Sequence, residues 1–183
     1  MSPRKYDLGR RAELAEATRR RIVEATFDLH GEKGITATTY KDIAERADVS
    51  LATVYRHFPR YDDVVMACGA LSLSRMPVRD AAALQGVDDL VDATYDLYDW
   101  SPGMLAHLRE EVRKVPVLAD FIAGAEELVE SYVRAALPDL DDDDVVTVIA
   151  LLDEGVHRSL TASGLSPAAA RERTAGVIRK AIA

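Results

Sequence analysis

Between Thr39 and Phe58 the chain reads Thr-Tyr-Lys-Asp-Ile-Ala-Glu-Arg-Ala-Asp-Val-Ser-Leu-Ala-Thr-Val-Tyr-Arg-His-Phe. Its small, hydroxylated and cationic residues are spaced to hydrogen-bond a surface outside the protein. Thr39 suits the N-cap of a short helix, Tyr40–Ala47, with Asp42 three residues on as a short capping box. Ile43, Ala44 and Ala47 give that helix a narrow apolar face, and the small Ala44 lets a second helix come close. Asp48-Val49-Ser50 is a turn too short for the second helix to do anything but cross the first, with Val49 plugging the crossing. Ser50 caps the second helix, Leu51–Phe58, whose Val54 and Phe58 lie inward at i, i+4. Leu51, Ala52, Thr53, Tyr55, Arg56 and His57 remain on the open side. Thr53 and Tyr55 can bond phosphates or base edges, and an Ala or Thr methyl can meet a thymine methyl. An ordinary pair of surface helices would also carry a polar face. The order of cap, alanine, three-residue turn, cap and tyrosine favours a DNA-reading helix-turn-helix.

Other groups offer weaker chemistry. Arg4, Lys5, Arg10, Arg11, Arg19, Arg20 and Arg21 lead into this segment; such an arm either grips phosphates and the minor groove or is a solvated tail. Glu154-x-x-His157 is half of the repeated pair that carboxylate-bridged di-iron bundles require, and it occurs once. No Gly-x-Ser-x-Gly, phosphate loop, dinucleotide fingerprint or His-Glu-x-x-His is present, so the chain reads as a non-enzyme needing no cofactor or metal. The run Asp141–Asp144 lacks the spaced ligands and glycine of a calcium loop and suits a helix N-terminus. Cys68, the one cysteine, sits among Val64, Val65 and Met66 and reads as a buried, inert thiol.

The elements that must hold the 39–58 segment are helical almost throughout. No stretch alternates with period two, and no Asn-Gly or Asp-Gly hairpin turn occurs. Helices are expected from about Ala12 to His30, stopped by Gly31 and Gly34, then at Tyr40–Ala47, Leu51–Phe58, Asp62–Ser74, Val87–Trp100 and Gly103–Val115. Val117–Leu137, Val145–Ala162 and Pro167–Ile182 follow. The expectation is an all-α chain of about nine helices. Residues 1–61 form the DNA-binding domain with its basic arm, and 62–183 a helical sensing and dimerisation domain. Net charge is −8, divided as +3 over residues 1–61 and −11 over 62–183. A basic head on an acidic body keeps attraction to a polyanion at one end. No stretch of about 18 apolar residues spans a bilayer, and no secretory signal opens the chain, so the expected location is the cytoplasm.

A single head is a small contact, so a homodimer reading a palindromic operator is expected, with recognition helices about 34–36 Å apart. Val148, Ile149, Leu152, Val156 and Leu160 form one stripe for the dimer face, and Val177 and Ile178 belong to another; core packing within the chain is the alternative. Tyr95, Tyr98, Trp100, Met104, His107, Phe121 and Tyr132 could wall a cavity for an apolar or planar effector, or simply fill a core.

The stretches Thr38-Thr39-Tyr40-Lys41-Asp42-Ile43-Ala44 and Val49-Ser50-Leu51-Ala52-Thr53-Val54-Tyr55-Arg56-His57-Phe58-Pro59 resemble the signature of the TetR/AcrR family of repressors, over roughly Ile22 to Val65. The resemblance implies that the second and third helices form the reading head with the first packed over them. It also implies that Thr39 and Lys41 touch the DNA backbone while Leu51, Ala52, Thr53, Tyr55 and His57 meet bases and phosphates. Tyr40, Ser50 and Arg56 complete the candidate surface. The sequence departs from the family pattern at two positions. Asp48 stands where glycine is usual, at a position that needs a left-handed conformation. Tyr61 stands where a phosphate-contacting lysine is common, so that Arg60 or the Tyr61 hydroxyl would take over. Repression, rather than activation, is implied by the resemblance alone. A ligand in the middle helices would then release DNA by tilting the fourth helix, through unequal affinity for two states.

Overall fold

Apolar residues recurring every three or four positions make helices over most of the chain, which the computed structural model describes at residues 3–100 and 102–183. The α-helices are α1 Pro3–Lys33, α2 Tyr40–Arg46, α3 Leu51–His57, α4 Tyr61–Arg75, α5 Gly86–Trp100, α6 Pro102–Glu111, α7 Ala119–Ala136, α8 Asp142–Leu151, α9 Glu154–Ala162 and α10 Pro167–Ala181. Single 3-10 turns lie at Ala81–Ala83 and Pro116–Leu118. No strand occurs among the described residues, and the chain is all-α as expected. Among those residues no helix is long and apolar enough to cross a membrane.

The two largest departures from the sequence expectation are at the start of α1 and within Val145–Ala162. α1 begins at Pro3, ahead of the start expected near Ala12, so the backbone of the basic approach is helical. Arg10 through Arg21 are mostly Arg, Ala, Glu and Leu, strong helix formers that let the helix run on without a core beneath it. Arg10 and Arg11 are exposed on it, whereas the side chains of Arg4 and Lys5 lie outside the described residues. α1 stops where Gly34 takes φ +88° and donates its N–H to the His30 carbonyl at 3.1 Å, a left-handed cap that glycine adopts without penalty. The second difference is that the helix expected over Val145–Ala162 is broken between Leu151 and Glu154. There the Asp153 side chain accepts from the Gly155 N–H at 2.7 Å and starts α9 anew. Asp141 caps α8 by accepting from the Asp144 N–H at 2.9 Å, the capping role expected of the acidic run.

The chain divides into two compact units, Met1–Arg75 with Gly103–Ala119, and Met76–Pro102 with Asp120–Ala183. α4 and α6 therefore belong with the helix-turn-helix, and the unit does not end at Tyr61. In the first unit Ile22, Val23, Leu29, Ile43, Val54, Phe58 and Val64 form one core, with Val49 partly buried against it. Cys68 is buried, and desolvation pushes its thiol up to about 12, which makes it a poor nucleophile. α6 comes close to the end of α1: a Cβ on Gly103 would stand 2.5 Å from the Gly31 carbonyl oxygen, so only glycine fits.

In the second unit Leu90, Tyr95, Tyr132, Val133, Val148, Leu152 and Ile178 are in one core. This corrects the expected dimer face at Val148, Leu152 and Ile178. Each is 0% exposed, and a side chain with no accessible area has none to bury against a partner. Val156 and Val177 are 37% and 39% exposed; Ile149 and Leu160 are half-buried. Tyr95 and Tyr132 are likewise core residues rather than cavity walls. The Tyr95 hydroxyl bonds Thr174 Oγ1 at 2.7 Å, and the Tyr132 hydroxyl bonds the Arg79 backbone. Tyr98, Trp100 and Phe121 are half-buried in this unit, while Met104 and His107 are half-buried in the other.

Candidate nucleic-acid interface

The helix-turn-helix is assembled from local hydrogen bonds. The Thr39 side chain accepts from the Asp42 N–H at 3.2 Å, and Asp42 Oδ2 accepts from the Thr39 N–H at 2.8 Å. Thr39 Oγ1 also donates to that carboxylate at 2.6 Å, and Lys33 Nζ lies 2.8 Å from it. The Lys33 ammonium and the Thr39 bonds hold the Asp42 carboxyl well below the usual carboxylate range. α2 ends at Ala47. Asp48 then takes φ +52°, the left-handed conformation expected at this position, and Val49 N–H returns to the Ala44 carbonyl at 3.0 Å. Ser50 caps α3 by accepting from the Thr53 N–H at 3.1 Å, with its own hydroxyl 2.8 Å from Thr53 Oγ1.

These bonds aim α3. Val54 and Phe58 face the core at 0% and 1% exposure, while Leu51 and Tyr55 are 43% and 52% exposed. Ala52 and Arg56 are exposed beside them, and Thr53 and His57 are half-buried. On α2, Lys41 stands in solvent opposite Glu45 at 3.9 Å. A pair that exposed contributes little to stability, so the ammonium is available to phosphate. His57 is held below its ordinary value by desolvation first and by Arg56 and Arg19 second. Arg19 reaches this end of α3 from α1, its guanidinium 4.8 Å from the Phe58 ring centroid. Of the expected surface residues, Thr39, Lys41, Ser50, Leu51, Ala52, Tyr55 and Arg56 are exposed and Thr53 and His57 half-buried, none of them in the core.

Tyr40 and Tyr61 are not part of that surface. Tyr40 is 9% exposed, and its hydroxyl donates to the Phe58 carbonyl at 2.6 Å. Its ring meets Tyr55 edge-on, with centroids 4.7 Å apart. It therefore ties down the C-terminus of α3 and backs the exposed tyrosine. Tyr61 turns inward: its hydroxyl donates to the Ile35 carbonyl at 2.8 Å and lies 3.2 Å from His30 Nε2. A phenol has one proton, so His30 Nε2–H is the donor in the second bond. That leaves Arg60, exposed and 2.9 Å from Asp62, as the cation at the start of α4. Burial drives His30 down to about 4, so the ring is neutral at pH 7.

Sequence reasoning missed Glu111. At the end of α6 it is 6% exposed. Its Oε2 accepts from the Ile35 N–H at 2.6 Å and its Oε1 from the Thr36 N–H at 3.0 Å, with the Thr36 hydroxyl also bonded to it. A Cβ at Gly34 would stand 2.8 Å from Oε1, so the glycine that ends α1 also makes room for the carboxylate. Desolvation raises the Glu111 pKa, but the Thr36 and Ile35 bonds outweigh it and the net shift is downward. Contacts then run from Glu111 to the Ile35 loop, to Tyr61, to the Tyr40 ring 5.6 Å away, and to Tyr55. Nothing in Arg-Glu-Glu-Val distinguishes Glu111 from its exposed neighbour Glu110; only the fold brings it to the loop.

Comparison with known proteins agrees with this geometry. Residues 22–68 match the model of bacterial regulatory proteins, tetR family. The HTH-type transcriptional repressor KstR of Mycolicibacterium smegmatis is 28% identical over 141 residues, covering 70% of this chain and 67% of KstR. YdeS of Bacillus subtilis, an uncharacterized HTH-type transcriptional regulator, is 39% identical over 77 residues, 42% of this chain and 38% of its own length. The solved structure of the transcriptional regulator SCO7518 of Streptomyces coelicolor shares the fold, with a TM-score of 0.65 at 23% identity over 90% of this chain and 98% of that one. These relatives are regulators rather than enzymes. The tetR-family match falls on the capped helix pair, and the all-helical fold around it is shared with a solved regulator.

Proposed function

We propose that the chain is a ligand-responsive transcription repressor that binds a palindromic DNA operator as a homodimer and is released by a small molecule, acting in the cytoplasm. The observation that carries this reading is the outward flank of α3. Tyr55, Arg56, Leu51 and Ala52 are exposed, and Thr53 and Ser50 hydroxyls sit at the N-terminal turn, where a recognition helix meets base edges. Lys41, Arg56 and Arg60 supply phosphate contacts, and Arg10 and Arg11 on the extended α1 add more. The name of KstR, a repressor, supports repression over activation.

For the dimer face, Val156, Leu160 and Val177 remain candidates. Val177 lies with Leu165, Ala169 and Gly176 in an open groove along α10, flanked by Glu172, Arg173 and Lys180. Small residues there let two helices approach closely. Tyr98, Trp100 and Phe121 remain as candidate walls for the effector. Ligand release needs only that the effector bind the DNA-incompetent state more tightly than the competent one.

Selection from a random duplex pool, followed by titration of the recovered DNA, tests the reading. A palindromic site is expected, whose affinity falls by about 1–3 kcal/mol on Tyr55→Ala. Equal, weak binding to every duplex would sink it and favour a helical protein adaptor.

A further inference from the structure

We propose that a buried polar cluster between α5, α9 and α10 binds a small organic cation carrying N–H donors, an ammonium or amidinium on an aromatic or alkyl frame, with Glu154 as its counter-ion. This names the class of effector and so rests on the ligand-responsive reading above.

The cluster exists because of the break between α8 and α9. On α8 the inward residues are Val145, Val148 and Leu152. An uninterrupted helix would carry that stripe on to Val156 and Leu160, at the usual spacings of three and four. The restart at Asp153 shifts the phase. Glu154 and His157 are instead inward, at 4% and 6% exposure, while Val156 is 37% exposed. The fold buries two polar residues and leaves a valine in solvent, a local choice against stability of the sort found at functional sites.

The polar groups around them are only partly satisfied. His157 Nε2 lies 2.7 Å from Asp99 Oδ1, and its ring packs on Tyr95 with centroids 4.1 Å apart and Tyr98 at 6.2 Å. Arg171 is committed to three carboxylates, Asp92 at 3.2 Å, Asp96 at 3.0 Å and Asp99 at 2.6 Å. Arg79 also pairs with Asp96. Among the described residues the ion pair of Glu154 is with Arg158, 3.9 Å from its Oε1 and itself 58% exposed. Among the described residues, the buried side-chain polar atoms with no hydrogen-bond partner are Thr94 Oγ1, Glu154 Oε2 and His157 Nδ1. Glu154 and His157 are i, i+3 on α9. Thr94 adjoins Tyr95 on α5 and is i, i+4 to Tyr98, both stacked with His157. Buried polar atoms are normally paired, so unpaired atoms grouped on facing elements point to partners from outside the chain.

Their chemistry selects the ligand. With Nε2–H given to the Asp99 carboxylate, the neutral His157 ring offers Nδ1 as an acceptor. Glu154 Oε2 is an acceptor carrying charge, and the Thr94 hydroxyl can serve either way. The carboxylates Asp92, Asp96, Asp99 and Glu154 outnumber the guanidiniums of Arg79, Arg171 and Arg158. Two acceptors and a negative excess call for a cationic donor, and the half-buried Tyr98 ring suits a flat or greasy frame. The described residues hold no group of three or more His, Cys, Asp or Glu placed to grip a metal ion, which favours an organic cation.

Trp100, the one tryptophan, lies on α5 next to Asp99 and reports binding by its fluorescence. The chain is titrated with benzamidinium, phenethylammonium and the neutral isostere benzamide, and each titration is repeated by calorimetry. Benzamidinium or phenethylammonium should bind at least tenfold tighter than benzamide, and Glu154→Gln should remove at least tenfold of that preference. Thr94→Val, which removes one hydroxyl without touching a charge, should weaken the same cation severalfold; both variants are checked for native helicity. Equal affinity for cation and benzamide, or cation binding unaltered in both variants, overturns the proposal. So does an absence of binding in wild type together with raised melting temperatures in both variants, since the atoms then hold no more than water. Titrating the selected duplex with and without benzamidinium separates the two readings. A cation that binds through Glu154 without releasing DNA keeps the site and refutes the effector reading. DNA release by a compound indifferent to Glu154 keeps that reading and refutes the site.

Discussion

The helix-turn-helix and the α5–α9 cluster use similar polar residues in opposite ways. In the head, the hydroxyls and carboxylates of Thr39, Asp42, Ser50 and Glu111 are paired to backbone N–H groups before any DNA arrives. The cluster buries Glu154, His157 and Thr94 and leaves an atom of each unpaired. A surface that must present a fixed shape to a rigid polymer gains from being fully satisfied and preorganised. A site that must respond to a ligand gains from groups whose partners come with that ligand.

The contrast can be broken or sharpened by substitution, and pH gives the largest effect. His30 in the folded head titrates at about 4 rather than 6.5 because burial disfavours its charged form. The unfolded chain therefore takes up the proton first. Stability is fully present above pH 6.5 and drains away as pH falls towards 4, by about 3 kcal/mol. Urea melts over this range should show that loss, and His30→Gln should remove its part between about pH 6.5 and 5, above the range of the carboxylates; an unchanged slope there would mean the histidine is hydrated.

Glu111→Gln comes next. An amide can supply one acceptor oxygen where the carboxylate supplies two, and its NH2 faces the N–H of Ile35 or Thr36. The expected loss is about 1–3 kcal/mol, seen in thermal melts and as weaker binding of the selected duplex. The downward shift of the Glu111 carboxyl adds stability above its ordinary value that is lost as acid protonates it. A duplex affinity that Glu111→Gln leaves alone would mean the carboxylate supports the loop but not the reading surface.

Substitution in the cluster should have the other sign. Thr94→Val removes a buried unpaired hydroxyl at nearly constant shape and should stabilise the chain by about 1 kcal/mol, read as a raised urea midpoint. A lower midpoint would show that the hydroxyl is satisfied, and the contrast between the regions would vanish. Smallest of all, Asp48→Gly should stabilise by roughly 0.5 kcal/mol, since φ +52° costs aspartate more than glycine while glycine gives up more chain entropy. A loss instead would mean the Asp48 side chain bonds locally.

The head was legible because its logic is local. Thr39, Asp42, Asp48, Ser50, Val54 and Phe58 act on neighbours within a few positions, so caps, turn and inward face follow from residue type and spacing. Tyr40 and Tyr61 were misassigned because their rings obey the same spacing, but their hydroxyls find acceptors on other elements, at the carbonyls of Phe58 and Ile35. Glu111 gave no signal for the same reason.

Residue order alone therefore established the all-helical class, most element boundaries and the exposed flank of α3, all of which depend on interactions spanning one or two turns. The phase of a helix after a break does not: Asp153 restarts α9, and with that rotation Glu154 and His157 go in while Val156 goes out. Which apolar stripe becomes core and which stays free for a partner depended equally on packing, for Val148, Leu152 and Ile178 are hydrophobic wherever they lie. Burial is a property of neighbours brought together over long separations, and a periodic pattern specifies a face without specifying what covers it.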